Sequence, residues 1–266
     1  NSMQFYQKFR YLENRYYIHI EGGKALSKKQ RIDKILSNLG YGSRSELKKF
    51  CKNGLVKVNG KVINNPGVQV DVENDEIIFD GEKVTYKEFI YLMLNKPDGY
   101  ISATFDKRDP IVLDLIDKED LVFEPFPVGR LDKDTEGLLV LTNDGQLAHR
   151  VLSPKKHVPK TYYAKIEGIV TEEDIKAFAK GVTLDDGYET MPAELIILKS
   201  DEISEIELTI HEGKFHQVKR MFESVDKKVI YLKRLSMGKL KLDENLALGE
   251  YRELTDEEVK MIEERD

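Results

Sequence analysis

The sequence predicts an α+β protein with a small N-terminal domain and a larger domain built on a mainly antiparallel sheet. At 266 residues the chain is long enough for about two domains. Positive charge is concentrated near the N-terminus, and the rest of the chain contains runs of strand-like segments with occasional helical ones. Such runs are typical of α+β folds.

Composition excludes several classes of protein. Hydrophobic residues make up 40% and charged residues 34% of the chain, the proportions of a globular protein. No apolar run approaches the ~18 residues that cross a bilayer, so we expect no membrane partner. The single cysteine, Cys51, excludes an internal disulfide and indicates a reducing, cytoplasmic compartment. The five histidines lack partners at metal-ligand spacing, so we expect no metal site. A monomer is the default expectation.

The charge of the chain is distributed unevenly. Residues 28–61 contain ten basic and two acidic residues, a net +8, whereas the whole chain carries −6, which leaves −14 for the rest. Such asymmetry indicates a module that binds a polyanion. A solvated lysine-rich surface would give the same pattern, and charge alone does not separate the two interpretations.

Two short helices and a hairpin are predicted after an N-terminal extension. Residues 1–28 lack clear periodicity and begin Asn-Ser-Met, so we expect a vector-derived or disordered segment. The first helix has apolar residues at helical spacing and ends at Gly40. The run Ser43-Arg44-Ser45-Glu46 is a capping box for the second helix. Strands at 55–58 and 61–63 then flank an Asn59-Gly60 turn and form the hairpin. A further strand is predicted at 76–79.

Polar residues 83–89 form the expected linker to a second domain over 90–266. Its strands are predicted at 90–95, 123–128, 138–142, 161–167, 193–199, 206–211 and 229–235. Its helices are predicted at 171–180, 216–223 and 255–264. We therefore expect a sheet with a few helices packed against it.

The N-terminal domain resembles a known RNA-binding module. The segments "RIDKILSNLGYGSRSELKKFCKNGLVKVNGKVI" and "VENDEIIFDGE" resemble the S4 domain over residues 29–82. The resemblance implies binding to structured RNA, with basic side chains on the helix–helix face contacting the phosphates. The candidate RNA-binding residues are Arg31, Lys34, Ser43, Arg44, Lys48 and Lys49.

The segment "GRLDKDTEGLLVLTNDG" at 129–145 lies on a connection between two predicted strands. Carboxylates on such loops are often only caps or turn residues, and we assign Asp134, Glu136 and Asp144 to that role. A carboxylate beside a guanidinium stays ionised and can act without a metal or cofactor, which makes Asp132, beside Arg130, the candidate catalyst. A haloacid-dehalogenase motif is disfavoured. In that motif an apolar strand leads into the first aspartate, whereas here the apolar strand follows the aspartates.

The whole segment resembles the catalytic motif of the small-subunit-rRNA class of pseudouridine synthases. Further family motifs follow in the same order, as "LMLNKPDGYIS", "SPKKHVPKTY", "TIHEGKFHQVKRMFESV" and "GEYRELTDEE". The resemblance implies an isomerase that converts a uridine of ribosomal RNA to pseudouridine without a cofactor. One departure is Asp226, which stands where a glycine is usual and is expected to disturb the loop after a helix.

Residue roles follow from this resemblance. Asp132 is the essential carboxylate, Tyr162 stacks on the flipped base, and Lys219 pairs with the aspartate. Arg130 either pairs with Asp132 or helps to displace the target base. Lys160 and Arg220 are expected to contact the RNA.

The expected substrate is small-subunit (16S) rRNA, or an assembling subunit. The segments "YLMLNKPDGYISATFDKRDPIVLDLI" and "FAKGVTLDDG", and the lack of a long basic C-terminal tail, favour it over the alternative, a large-subunit (23S) enzyme of the same family. A non-catalytic RNA-binding assembly protein is a further alternative, disfavoured because Asp132, Tyr162 and Lys219 are all present.

Overall fold

The computed structural model describes residues 29–72 and 74–264, so the predicted extension over 1–28 lies outside the described residues. The chain divides into two compact units, one ending at Glu88 and the other beginning at Phe89. Helices combine with mainly antiparallel sheets, which confirms the predicted α+β class. Within the described ranges, no helix is both long and apolar enough to cross a membrane.

The N-terminal unit contains both predicted helices, α1 (Ile32–Asn38) and α2 (Arg44–Lys52). Its strands are β1 (Lys29–Arg31), β2 (Val56–Val58), β3 (Lys61–Val62), β4 (Gln69–Asp71), β5 (Ile77–Phe79) and β6 (Glu82–Lys83). Four of them form a sheet of order β3-β2-β5-β6, and β1 pairs with β4 in a separate two-stranded sheet. The predicted hairpin is present as β2 and β3.

The two helices form because their apolar residues share one face. Ile35 and Leu36 of α1 and Leu47 and Cys51 of α2 are fully buried. The predicted capping box starts α2, since the Ser43 hydroxyl accepts from the amide of Glu46 and the amide of Ser43 donates to the Glu46 carboxylate. The lysines of α2 are left on the solvent face.

The C-terminal unit is built on a nine-stranded sheet. Its strands are β7 (Tyr91–Lys96), β8 (Phe126–Pro127), β9 (Glu136–Thr142), β10 (Lys160–Glu167), β11 (Glu194–Lys199), β12 (Ile203–Ile210), β13 (Lys228–Met237), β14 (Leu240–Lys241) and β15 (Tyr251–Glu253). The main order is β11-β12-β10-β13-β9-β7-β15, with β8 paired to β9 and β14 paired to β13 beside this path. All pairs are antiparallel except β13 with β9.

Five α-helices accompany this sheet in the described part of the unit. They are α3 (Lys118–Leu121), α4 (Gly145–Leu152), α5 (Glu172–Lys180), α6 (Gln217–Glu223) and α7 (Asp256–Met261), and 3₁₀ turns occupy Val112–Leu115 and Pro154–Lys156. The helices predicted at 171–180, 216–223 and 255–264 are present as α5, α6 and α7. Helix α4 was not predicted, although Asp144 caps it as expected by accepting from the amides of Gln146 and Leu147. The strand predicted at 123–128 is reduced to β8.

Hydrophobic cores lie on both faces of the sheet, and β9 contributes to each. Leu139 and Leu141 belong to the core that also contains Tyr162, whereas Leu138 and Val140 belong to the other core. A strand buried on both faces reads as a continuous apolar run, which explains the sequence "GLLVL". Gly137 begins this run with φ 99°, and a Cβ there would overlap the backbone of Arg234 on β13. Only glycine fits this approach of β9 to β13.

The loop after α6 keeps a left-handed turn although glycine is absent. Asp226 adopts φ 58°, and the amide of Lys227 donates to the carbonyl of Phe222 at 3.0 Å. Asp tolerates this conformation better than most residues. The expectation that Asp226 disturbs the loop was therefore wrong.

Candidate active site

The loop that carries Asp132 connects β8 to β9 and is anchored at the residue before it. Leu131 is 6% exposed, and its amide donates to the Ser102 hydroxyl, which in turn donates to the Leu131 carbonyl. After Asp132 the chain turns, with the amide of Thr135 donating to the Asp132 carbonyl at 3.0 Å. These bonds fix the backbone that presents the carboxylate.

A buried lysine is hydrogen-bonded to the backbone of the same loop. Lys96 is fully buried, and its ammonium donates to the carbonyls of Pro97, Lys133 and Thr135 at 3.0, 3.0 and 2.8 Å. Burial lowers the pKa of Lys96 to about 8, although nearby carboxylates, Asp98 first among them, act to raise it. The lysine ties the end of β7 to both sides of the turn after Asp132.

Lys219 on α6 reaches the candidate catalytic carboxylate. Its Nζ lies 3.4 Å from Asp132 Oδ2 and 2.6 Å from Asp134 Oδ1. Partial burial acts to lower the pKa of Lys219, but the hydrogen bond that Lys219 donates to Asp134 and the charge of Asp132 outweigh it, so the pKa is raised. Lys219 therefore stays protonated at neutral pH. Asp134, which we expected to be only a turn residue, is instead the nearer partner of this lysine.

His216 is a site residue that the sequence analysis missed. Its Nε2 lies 3.5 Å from Asp132 Oδ1, and the residue adopts φ 48° immediately before α6. Left-handed residues other than glycine are uncommon and are concentrated at functional sites. The available signal was the spacing of His216 and Lys219, because residues three apart lie on the same side of a helix.

Tyr162 and Lys160 both point inward from β10. Tyr162 is 8% exposed and belongs to the same large hydrophobic core as Leu131, the residue before Asp132. Lys160 is 9% exposed, and its ammonium donates to the Val158 carbonyl at 2.9 Å. Burial, and then the charge of Arg234, lower the pKa of Lys160 to about 8. Lys160 is thus buried and bonded to the backbone, and the RNA contact that we expected of it stays a prediction.

The two candidate arginines are placed differently from each other. Arg130 is exposed and, within the described part of the chain, forms no ion pair, so the expected alternative of pairing with Asp132 is not realised here. Arg220 is only 13% exposed at its side chain and forms ion pairs with Asp185 and Asp186. Its guanidinium is occupied by carboxylates, so contact with an RNA phosphate requires their displacement.

An open pocket of about 440 Å³ lies beside these groups. It is lined by Asp185, Asp186, Phe215, His216, Lys219, Arg220 and Glu223. Two of these residues, His216 and Lys219, contact Asp132 directly. Asp132 is not itself a lining residue, but it adjoins two residues of a pocket that carries charged and aromatic groups. Within residues 29–72 and 74–264, no cluster of three His, Cys, Asp or Glu side chains is placed to hold a metal ion.

In the N-terminal unit the candidate RNA-binding residues fall into two groups. Lys34, Arg44, Lys48 and Lys49 are exposed. Arg31 is paired with the buried Asp33 at 2.7 Å, and this hydrogen bond lowers the pKa of Asp33. The Ser43 hydroxyl is used in the helix cap. Four cations are thus free to meet phosphates, whereas Arg31 and Ser43 already have local partners.

Family models match both units. The model for RNA pseudouridylate synthase matches residues 90–224, and the model for the S4 domain matches residues 30–77. A solved structure described as a pseudouridylate synthase superposes with a TM-score of 0.62 at 41% identity, covering 87% of this chain and 99% of its own.

Relatives match along nearly their whole length. A Bacillus subtilis protein named uncharacterized RNA pseudouridine synthase YtzG is 54% identical over 88% of this chain and 98% of its own. The B. subtilis ribosomal large subunit pseudouridine synthase B is 42% identical over 88% and 95%. The Salmonella typhimurium ribosomal small subunit pseudouridine synthase A is 39% identical over 87% and 99%. The chain therefore belongs to the family of RNA pseudouridylate synthases and carries an S4 domain before its synthase domain.

Proposed function

We propose that this enzyme isomerises a specific uridine of small-subunit ribosomal RNA and that Asp132 is its catalytic carboxylate. The observation that carries the proposal is the position of Asp132 on an anchored loop beside the pocket, 3.4 Å from Lys219 and 3.5 Å from His216. A neighbouring positive charge favours the charged form of a carboxylate. An anion held in this way can act on a nucleotide without a metal.

The reaction is a rearrangement within one nucleotide. The bond from N1 to C1′ breaks, the base rotates, and a bond from C5 to C1′ forms. The hydrogen of C5 leaves to solvent and N1 gains a proton, so no oxidant, reductant or donated group is consumed. The side chains that adjoin each other at the site, Asp132, Lys219 and His216, are the proposed source of the nucleophilic, acid–base or electrostatic assistance.

The target uridine must leave the RNA stack to reach Asp132, because a stacked base is out of reach of an enzyme pocket. Tyr162, which matches the tyrosine of the family's second motif, is the proposed stacking partner of the flipped base. It is 8% exposed, so stacking requires the base to enter the site deeply. Arg130, exposed beside Asp132, is proposed to occupy the space that the base leaves.

The S4 domain is proposed to supply most of the RNA affinity. Lys34, Arg44, Lys48 and Lys49 are exposed cations on or beside two adjacent helices. Contacts from such residues to phosphates give affinity and salt dependence and carry little base-sequence information. The choice of uridine then rests with the synthase domain.

Small-subunit rRNA is preferred over large-subunit rRNA on sequence grounds. The segments "YLMLNKPDGYISATFDKRDPIVLDLI" and "FAKGVTLDDG" resemble the small-subunit class. Overall identity does not separate the two, since relatives named for either subunit are about equally similar at 39% and 42%.

The test is release of tritium from RNA labelled at uridine C5, since that hydrogen is lost when C5 bonds to C1′. Wild-type enzyme is incubated separately with 16S rRNA, with 23S rRNA and with partly assembled small subunits. We expect about one tritium per small-subunit RNA, free or partly assembled, and none from 23S rRNA. Release from 23S rRNA alone would replace the small-subunit proposal with a large-subunit one. No release from any substrate would favour a non-catalytic RNA-binding protein.

A further inference from the structure

Phe215 presents an aromatic ring to solvent at the pocket. Its 76% exposure exceeds that of every other large hydrophobic residue that is exposed in the described part of the chain. Single exposed apolar side chains are common on protein surfaces, so exposure by itself implies no role. The surroundings of this ring are what distinguish it.

The ring of Phe215 is stacked on a residue that contacts the candidate catalytic carboxylate. Its centroid lies 3.7 Å from that of His216, with 20° between the ring planes, and His216 Nε2 lies 3.5 Å from Asp132. Two stacked rings therefore extend from the carboxylate toward solvent. One face of Phe215 is covered by His216, and its high exposure leaves the opposite face open.

The segment that presents Phe215 is held in place by hydrogen bonds. The buried Gln217 side chain accepts from the amide of Lys214 at 2.9 Å and donates to Glu212 at 2.8 Å. Arg220 donates from α6 to the Phe215 carbonyl at 3.3 Å. A ring on a fixed backbone loses little conformational entropy when a ligand stacks on it.

An open ring face near the candidate catalytic carboxylate suits a flat nucleobase. The neighbouring cations are already paired, since Lys219 bonds Asp134, and Arg220 bonds Asp185 and Asp186, so the ring itself is the group that recognises the ligand. Exposed aromatic rings are a usual surface on which proteins stack unpaired bases. Removing a uridine from its stack also leaves the neighbouring base without a partner on one face.

We propose that Phe215, backed by His216, is a stacking platform for the RNA base next to the target uridine. This inference rests on the proposed function of the Asp132 site. It makes Phe215 a positioning residue: the ring holds the flanking base, and through it the target sugar, at the carboxylate. Substitutions of Phe215 should therefore affect turnover and should not affect folding.

The first experiment compares tritium release from C5-labelled small-subunit rRNA by wild type, Phe215→Leu and Phe215→Trp. Leucine keeps apolar bulk without a flat ring, whereas tryptophan keeps the ring. Base–aromatic stacking contributes about 1–3 kcal/mol per base, so we expect Phe215→Leu to lose at least ~5-fold in kcat/KM, and Phe215→Trp to retain more activity than Phe215→Leu. Equal melting temperatures would show that both variants fold.

The second experiment needs no turnover. The chain contains no tryptophan, so Phe215→Trp provides a single fluorophore at the platform. Ile203→Trp is the matched control, since Ile203 is also exposed. Ile203 is the first residue of β12, and the segment with Phe215 follows the last residue of that strand, Ile210. The two ends of β12 are roughly 23 Å apart at ~3.3 Å per residue. Addition of small-subunit rRNA should quench the fluorescence of Phe215→Trp much more strongly than that of Ile203→Trp.

The outcomes separate this inference from the proposed function. If wild type releases tritium and Phe215→Leu matches it within twofold, the platform is wrong and the proposed function stands. Equal quenching of the two tryptophan variants would also overturn the platform. If wild type releases no tritium from any rRNA while only Phe215→Trp is quenched, the ring binds RNA and the proposed function is wrong.

Discussion

The Lys219 ammonium lies 2.6 Å from Asp134 Oδ1, a residue 85 positions earlier in the chain. The same ammonium lies 3.4 Å from Asp132 Oδ2, so one cation is shared by two carboxylates of one loop. Asp134 is the more exposed of the two, with a side-chain exposure of 64% against 26% for Asp132. This difference fits a division in which Asp132 faces the reacting nucleotide and Asp134 helps to place the lysine.

Removing the charge of Lys219 should reduce turnover more than RNA binding. Loss of one preorganised charged partner at a reacting centre costs about 10²-fold in kcat, and we expect a loss of that order for Lys219→Met. Lys219→Arg keeps the charge and should retain measurable activity. Tritium release gives kcat, and filter binding gives RNA affinity, which should be close to that of wild type in both variants. Wild-type kcat in Lys219→Met would show that the ion pair has no role in turnover.

The exposed lysines of α2 should account for part of the salt dependence of RNA binding. Each phosphate contact contributes about 0.7–0.9 to the slope of log affinity against log salt. The double variant Lys48→Ala/Lys49→Ala should therefore reduce the slope by about 1.5. Lys176→Ala/Lys180→Ala, which removes two exposed lysines from α5, is the control and should leave the slope unchanged. Equal slopes in all three proteins would place the phosphate contacts elsewhere.

Gly137 should tolerate no side chain. Its φ of 99° disfavours other residues, and a Cβ would also overlap the Arg234 backbone of β13. Gly187 has a similar φ of 82° with no atom within 4 Å of the added Cβ, so Gly187→Ala measures the backbone cost alone, about 1 kcal/mol. Gly137→Ala should cost at least ~3 kcal/mol in free energy of unfolding, or prevent folding. Urea unfolding distinguishes the two, and equal costs would argue against the steric explanation.

The ion pair between Arg252 and Glu258 of α7 should stabilise the fold at neutral pH and lose this effect in acid. Arg252 bonds Glu258 with two nitrogens and also contacts Asp243. Its hydrogen bonds lower the pKa of Glu258 to about 2. A lowered folded-state pKa stabilises the protein above the unfolded pKa of about 4.5, and this contribution disappears as the pH falls toward about 2.

Arg252→Met should therefore cost ~2 kcal/mol at neutral pH, and the difference from wild type should shrink between about pH 4.5 and pH 2. Lys199→Met is the control, because its ion pair with Asp201 is exposed on both sides and such pairs contribute little. Urea unfolding across this pH range gives the free energies. A difference that stays constant with pH would contradict the role given to the Arg252–Glu258 pair.

Local patterns predicted much of the fold, and long-range contacts account for what they missed. The apolar run of β9 and the capping box of α2 are properties of neighbouring residues, so the sequence alone revealed them. The burial of Lys160 was not predicted, because a charged side chain is usually expected at the surface. Lys160 nevertheless lies on the same strand face as the buried residues Tyr162 and Ala164, a period of two that the sequence already contains.

The contacts of the site could not be predicted in the same way. Asp134 meets Lys219 and Arg220 meets Asp185 only because β9, α6 and the loop before β11 come together in the folded unit. No local pattern encodes which of several loop carboxylates faces a distant lysine. The motif indicated Asp132 by resemblance, whereas the contact of His216 with Asp132 and the stacking of Phe215 on His216 are seen only in the folded structure.

The measurement that tests the central claim most directly is tritium release from C5-labelled small-subunit rRNA by wild type, Asp132→Asn and Asp134→Asn. The two variants remove one charge each from the same loop and from the same lysine, so they differ mainly in which carboxylate is lost. We expect release by wild type, slower release by Asp134→Asn and none by Asp132→Asn, with RNA binding retained in all three. Release by Asp132→Asn at the wild-type rate, or loss of release only in Asp134→Asn, would show that Asp132 is not the catalytic carboxylate.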